Sequence, residues 1–186
     1  MNAILGISGS LRKNSYNSAL LKAASHLFPA AIKIGNMQDI PLYNADIEAE
    51  GVPEPVLQLK RQVADASGLL LATPEYNNSM PGVLKNTIDW LSRPSLDIRN
   101  VFHGMPVAVI GASPGGFGTL LAQNAWLPVF RTLGSRYFSG QRLVVSGAAG
   151  VFDRDGRLAD ESVQQRLEKF VSAFMEFCEE NSESRA

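Results

Sequence analysis

The segment GSLRKNSYN (residues 9–17) brings hydroxyl, cationic and amide groups together directly after AILGIS (residues 3–8). Ser10 and Ser15 can each donate a hydroxyl hydrogen bond, and Arg12 can donate charge-assisted hydrogen bonds. If a helix begins near Ser15, its unpaired amides and its dipole favour an anion at the same place. The segment therefore predicts a phosphate site built from the side chains of Ser10, Arg12 and Ser15 and the amides of Ser15, Tyr16 and Asn17.

The same segment also has a purely structural explanation. Ser15 or Asn14 can cap the helix while Arg12 and Lys13 are simply solvated, and the sequence leaves both interpretations open. Known nucleotide fingerprints are absent, since the segment contains neither G-x-x-x-x-G-K-[ST] nor G-x-G-x-x-G. A phosphate held by hydroxyls, one arginine and amides indicates a mononucleotide.

A second polar segment, PEYNNSMPG (residues 74–82), contains two prolines. A loop stiffened in this way can hold its backbone amides against a flat heterocycle at little ordering cost. Tyr76 is expected to pack against a ring edge or a neighbouring subunit. The structural alternative is a rigid turn whose Ser79 caps the next helix. The polar side chains that this segment offers are those of Glu75, Tyr76, Asn77 and Asn78.

A third segment, ASPGGFG (residues 112–118), follows another apolar run. With the preceding Gly111 it forms the G-x-S-x-G pattern of a hydrolase nucleophile around Ser113. Two features argue against a hydrolase. Pro114 has no amide for the oxyanion hole, and both histidines precede Ser113, whereas the triad order requires one after it. Ser113 and the amides near Gly115 suit a cofactor edge better. No histidine or cysteine has metal-ligand spacing, and no carboxylate pair indicates acid–base catalysis.

The elements that must position these segments follow from periodicity. Short apolar runs, typical of buried strands, alternate with stretches of helical period, which predicts a doubly wound parallel α/β sheet. In the strand order 2-1-3-4-5, strands one, three and four are neighbours, so their polar segments meet at one crevice. The turn after strand five, AAGVFDRDG (residues 148–156), is less typical of a ligand contact than the segments after strands one, three and four. Pro128 is expected to kink the fourth helix or end it near Leu127. The predicted strands are residues 3–8, 31–35, 68–73, 106–113 and 142–147.

Bulk composition sets limits on the function. The 186 residues are expected to form one domain, residues 1–186, with a tail at about 180–186 that frays. Lys and Arg number 17 against 18 Asp and Glu, which argues against nucleic acid or anionic lipid as a partner. The single Cys178 excludes an internal disulfide, the N-terminus is typical of a strand rather than a signal peptide, and no apolar run is long enough to span a membrane. A cytoplasmic protein is expected.

Together the three segments resemble the NADPH-dependent FMN reductases, a family that includes quinone, azo-dye and chromate reductases. The resemblance rests on GSLRKNSYN, PEYNNSMPGVLKNTIDW (residues 74–90) and ASPGGFG, and the second motif is the most specific. It implies a flavodoxin-like three-layer sandwich with a five-stranded parallel sheet and non-covalent FMN. The residues that would hold the FMN phosphate are Ser10, Arg12, Ser15, Tyr16 and Asn17. Those expected along the isoalloxazine are Pro74, Glu75, Tyr76 and Asn77, with Ser113 and Gly115 at its polar edge.

The resemblance also implies an activity. Hydride from NADPH or NADH would pass to FMN, and two electrons would then pass to a small acceptor such as free flavin, a quinone, an azo compound or chromate. No catalytic side chain is assigned, because the flavin carries the chemistry. A homodimer or homotetramer is expected from the same resemblance.

Two other function classes compete with this prediction. A flavodoxin-type electron carrier would not oxidise NAD(P)H directly and would rely on charge steering, for which a net charge of −1 gives little basis. A non-catalytic module would keep the fold and bind no flavin.

Overall fold

The computed structural model describes residues 2–182. Apolar runs form the strands, and the intervening amphipathic stretches form the helices. The strands are β1 Ile4–Ser8, β2 Ile32–Gly35, β3 Leu69–Ala72, β4 Pro106–Ala112, β5 Arg136–Tyr137 and β6 Leu143–Val145. The helices are α1 Tyr16–Leu27, α2 Ala45–Glu50, α3 Glu54–Asp65, α4 Gly82–Leu91, α5 Ile98–Val101, α6 Leu120–Thr132 and α7 Glu161–Glu180.

The described strands form one parallel sheet in the order β2-β1-β3-β4-β5, with β6 also pairing with β4. Leu5 lies beside Leu69, and Leu69 lies beside Val107, so the three central strands are in close register. Helices α1 and α7 bury one apolar face of the sheet. Helices α3, α4 and α6 bury the other. The predicted fold class and strand order are confirmed.

The fifth strand position differs in detail from the prediction. β5 pairs with the start of β4 at Pro106–Val107, and β6 pairs with its end at Ile110–Ala112. The polar and glycine-containing residues 139–142 (SGQR) separate the two short strands. The predicted strand 142–147 corresponds to β6, and β5 is too short to give an apolar signal. The described sheet therefore has six strands, not five.

Helix α6 continues through Pro128 to Thr132, so of the two predicted effects of Pro128, a kink or an end near Leu127, the end near Leu127 is wrong. Pro128 deprives the carbonyl of Asn124 of its usual amide donor. Both residues are on the exposed face of the helix, where water can replace that donor. Trp126 and Phe130 on the opposite face are fully buried and stacked, with ring centroids 5.6 Å apart, and they hold the helix to the sheet.

The tail that is expected to fray from about residue 180 begins at the end of α7. α7 includes Glu180, and Asn181 is buried, with its Oδ1 accepting a hydrogen bond of 2.5 Å from Arg136. Residues 183–186 of that predicted tail lie outside the described residues.

Candidate functional site

The carboxyl ends of β1, β3 and β4 are adjacent, and the three polar segments leave the sheet there side by side. The Gly9 amide donates to the Ala72 carbonyl at 2.8 Å, and the Thr73 amide donates to the Ile110 carbonyl at 2.8 Å. Gly9 packs so closely that a Cβ atom there would lie 2.8 Å from Leu84 Cδ2 and 2.9 Å from Pro74 Cδ. The first two segments are thus in direct contact through a residue that must be glycine.

The first segment ends at the N-terminus of α1, as predicted. Ser15 is the N-cap, and its Oγ accepts a hydrogen bond of 3.3 Å from the Ser18 amide. Its hydroxyl proton remains available for a further acceptor. Ser10 Oγ accepts from the Arg12 amide at 3.3 Å. The cap and an anion site are therefore compatible, because capping uses only one of the first-turn amides.

Asn17 has a structural role that the sequence did not indicate. Its Oδ1 accepts from the Ala112 amide and its Nδ2 donates to the Ala112 carbonyl, both at 2.9 Å. Both residues are buried. This pair of hydrogen bonds fixes the start of α1 to the end of β4, so only the main-chain amide of Asn17 can serve a ligand.

Arg12 and Tyr16 lie on the outer side of this helix start. The Tyr16 ring stacks on Phe152 with centroids 5.7 Å apart, and the Arg12 guanidinium lies 5.5 Å from the Tyr16 centroid. Arg12 is exposed, and its guanidinium forms no ion pair within residues 2–182. It is therefore at the rim of the segment with its charge uncompensated.

The second segment is a tight turn. Tyr76 and Ser79 exchange two main-chain hydrogen bonds of 3.0 Å, and Asn77 and Asn78 between them have φ values of 50° and 61°. These values are typical of a type I′ turn, in which asparagine is favoured. Helix α4 is capped by Pro81 without a side-chain hydrogen bond, so the alternative that Ser79 caps this helix is wrong. The turn leaves the Tyr76 ring 54% exposed.

Glu75 connects the second segment to the third. Its Oε2 accepts hydrogen bonds from the Leu121 amide at 2.8 Å and the Ala122 amide at 3.0 Å. The carboxylate thereby satisfies amides in the first turn of α6, because the hydroxyl of the N-cap Thr119 makes no capping hydrogen bond to them. The Glu75 carboxylate is therefore engaged by the main chain of α6.

The third segment and the preceding Gly111 provide glycines of two kinds. Gly111 and Gly118 are required by the fold, because a Cβ atom would lie 2.0 Å from Thr119 Oγ1 at the first and 2.3 Å from Val144 Cγ1 at the second. Gly116 would meet no atom within 4 Å, and Gly115 only Ser113 Oγ at 3.6 Å. Neither has a positive φ. The fold therefore gives no reason for these two glycines, and the absence of side chains leaves this wall of the crevice open.

The hydrolase pattern has no supporting geometry. Ser113 Oγ accepts from the Gly115 amide at 3.2 Å, and within the described residues no histidine bonds to it. Packing of Thr119 explains Gly111, the first glycine of the pattern. Residues 2–182 also contain no group of three or more His, Cys, Asp or Glu placed to hold a metal ion.

Comparison with known proteins decides the family. The family model described as NADPH-dependent FMN reductase matches residues 2–150. The chain belongs to the NADPH-dependent FMN reductase family. The resemblance stated from the three segments is thus confirmed.

Relatives in this family cover nearly all of the chain. It is 43% identical over 172 residues to an NAD(P)H-dependent FMN reductase of Pseudomonas aeruginosa, covering 91% of each chain. It is 38% identical over 169 residues to a quinone reductase of Pseudomonas putida, covering 88% of this chain and 90% of the relative. The solved structure of FerB, a flavoenzyme NAD(P)H:(acceptor) oxidoreductase from Paracoccus denitrificans, superposes with a TM-score of 0.87 at 36% identity, covering 97% of this chain and 99% of that one.

The residues present fit FMN. The first segment provides hydroxyls, an arginine and helix amides for a dianionic phosphate. The wall at Gly115 and Gly116 is open. A Cβ atom at either position would narrow it, and the packing of the fold does not require either residue to be glycine.

Among the described helices, none is long and apolar enough to cross a bilayer.

Proposed function

We propose that this protein is an FMN-dependent NAD(P)H oxidoreductase that passes two electrons from a nicotinamide nucleotide to small acceptors. The observation that carries the proposal is the crevice at the ends of β1, β3 and β4, where Gly115 and Gly116 have no structural reason to lack a side chain. Family membership supplies the reaction class.

Each of the three segments binds a different part of FMN. Ser10, Arg12 and Ser15, with the amides at the start of α1, bind the phosphate. The backbone of residues 74–77 lies along the isoalloxazine, and Ser113 with Gly115 faces its polar edge. When bound, FMN supplies the two-electron redox chemistry between nicotinamide and acceptor.

The role of the protein is to bind, orient and shield. The Asn17–Ala112 and Glu75–α6 hydrogen bonds join the three segments into one rigid unit, which reduces the ordering cost of binding. Residues 76–79 are fixed by their own two hydrogen bonds, so Tyr76 is held at the rim of the crevice. No side chain of the crevice is assigned as an acid or base.

A visible spectrum recorded before and after anaerobic NADPH addition tests this function. We expect a flavin spectrum that NADPH bleaches and that a quinone or free flavin restores. A flavin that is inert to NADPH and NADH would instead indicate an electron carrier, and a protein that takes up no FMN would indicate a non-catalytic module.

We infer a single domain, a homodimer or homotetramer, and a cytoplasmic location as further properties. Large apolar side chains at Leu42, Leu96 and Phe117 are 78%, 86% and 79% exposed, and association of copies would remove them from water. A chain with one cysteine needs no oxidising compartment to fold. Light scattering of the purified protein tests the assembly, and cell fractionation tests the location.

A further inference from the structure

A cavity of about 660 Å³ lies between α1 and the turn formed by residues 152–158, and residues 12–16 of the first segment line part of it. One wall is the face of α1 from Ser15 to Leu27, which is roughly 18 Å long at 1.5 Å per residue. The turn is held by hydrogen bonds from the Asp153 amide to the Arg157 carbonyl at 2.9 Å and from the Gly156 amide to the Asp153 carbonyl at 3.0 Å. This turn was not predicted to contact a ligand, because the order of elements along the chain does not reveal that it faces α1.

The cavity is cationic in a protein that is nearly neutral overall. Five Lys or Arg side chains line it against two carboxylates: Arg12, Lys13, Lys22, Arg154 and Arg157 face Asp153 and Asp155.

Both carboxylates are already engaged within the turn. Asp153 Oδ1 accepts from the amides of Asp155 at 2.9 Å and Arg157 at 2.8 Å, while Asp155 lies 4.0 Å from the Arg157 guanidinium. Arg12 is proposed to bind the FMN phosphate, and the other three cations, Lys13, Lys22 and Arg154, form no ion pair with any described residue. They are available to an anion.

The same cavity has an aromatic and apolar lining. The stacked rings of Tyr16 and Phe152 lie at the end nearer the first segment, and Ala19, Ala23 and Leu158 continue the lining. A ligand that combines phosphate with a flat ring matches this combination better than a bare anion does.

We propose that this cavity binds the adenosine 2′-phosphate end of NADPH. This inference rests on the proposed function, because it requires a nicotinamide nucleotide as electron donor. Residues 12–16 border both the cavity and the predicted FMN phosphate site, so a donor whose nicotinamide lies on the flavin ring would extend past the FMN phosphate to place its adenosine end beside the cationic wall. Since NADH lacks the 2′-phosphate, the cavity would discriminate between the two nucleotides.

Calorimetric titration of the FMN-loaded protein with adenosine 2′,5′-bisphosphate and with 5′-AMP tests the inference. We expect the bisphosphate to bind at least about tenfold more tightly, as one charge-assisted contact would give. The variant Lys22→Gln/Arg154→Gln should lose about tenfold or more of that affinity. Its KM for NADPH should rise while its KM for NADH and its FMN affinity stay unchanged.

A matched control is Lys33→Gln/Lys169→Gln, which removes two exposed cations that do not line the cavity. It should bind the bisphosphate as the wild-type protein does, which separates a local site from a general charge effect. All four positions are exposed, so both variants should fold.

Equal affinity for bisphosphate and 5′-AMP, or unchanged binding in the Lys22→Gln/Arg154→Gln variant, would overturn the inference. Equal losses in the two double variants would overturn it as well. These outcomes differ from failure of the proposed function, which would appear as protein that takes up no FMN or whose bound flavin neither nucleotide reduces.

Discussion

Replacing Gly116 by alanine tests cofactor binding separately from folding. A Cβ atom added there would have no other atom within 4 Å, and the residue has no left-handed φ, so alanine fits without strain. Gly116→Ala should therefore leave the free energy of unfolding unchanged or raise it by about 0.4–1 kcal/mol, through the lower entropy of the unfolded chain. The added methyl group would, however, narrow the open wall of the crevice.

The expected loss is in cofactor affinity. Forcing one methyl group into a packed contact costs about 1–3 kcal/mol, so the FMN dissociation constant should rise roughly tenfold to a hundredfold. Quenching of flavin fluorescence on titration of the apoprotein measures this constant, and urea denaturation measures stability on the same samples.

Two glycine variants provide the controls. Gly150 also has open space around it and no positive φ, but it lies outside the three segments. Gly150→Ala should therefore lower neither the free energy of unfolding nor the FMN affinity. Gly111→Ala would place its methyl 2.0 Å from Thr119 Oγ1 and should destabilise the fold itself. If Gly116→Ala binds FMN with wild-type affinity, the open wall does not face the cofactor and the assignment of this segment is refuted.

Three further predictions address the first segment and the core. Arg12→Ala should weaken FMN binding by roughly 1–3 kcal/mol through lost charged hydrogen bonds; an unchanged dissociation constant would contradict the phosphate assignment. Asn17→Ala should lower the free energy of unfolding by about 2–4 kcal/mol in urea, because it strands the buried amide and carbonyl of Ala112; a loss below about 0.5 kcal/mol would show that these bonds do not hold α1 to β4. Burial raises the pKa of the Cys178 thiol from 9.0 to about 12. The unfolded chain therefore loses this proton first, and stability should fall by about 1 kcal/mol between pH 9 and pH 10 relative to Cys178→Ala; parallel pH profiles of the two proteins would contradict this.

The fold, and the fact that three polar segments lie side by side at one edge of the sheet, could be predicted from the sequence. Apolar runs alternating with helical periods determined a parallel sheet, and the order of polar segments after strands one, three and four determined where they meet. These features depend on local patterns and on the general rule that ligands bind at the carboxyl ends of such strands. The family resemblance, carried by residues 9–17, 74–90 and 112–118, was confirmed by comparison.

Only tertiary contacts decided which polar side chains bond within the protein and which are left for a ligand. Asn17 is expected to serve the phosphate through its main-chain amide and from the family resemblance, but the sequence did not indicate that its side chain bonds to Ala112, 95 residues away. Glu75 similarly serves the amides of α6 rather than the crevice. A sequence reports which hydrogen-bonding groups are near one another along the chain, but a buried backbone group is satisfied by whichever side chain the packing brings to it.

Long-range packing also explains why α6 continues past Pro128 and why the cationic cavity exists. Pro128 ends a helix when local propensity decides, but here the burial of Trp126 and Phe130 outweighs one lost hydrogen bond. The turn at residues 152–158 lies more than 120 residues from α1 along the chain, and the cavity exists only because β6 and α7 bring it there. Local chemistry thus determined the elements and their order, while long-range packing decided which face of each element is left for a ligand.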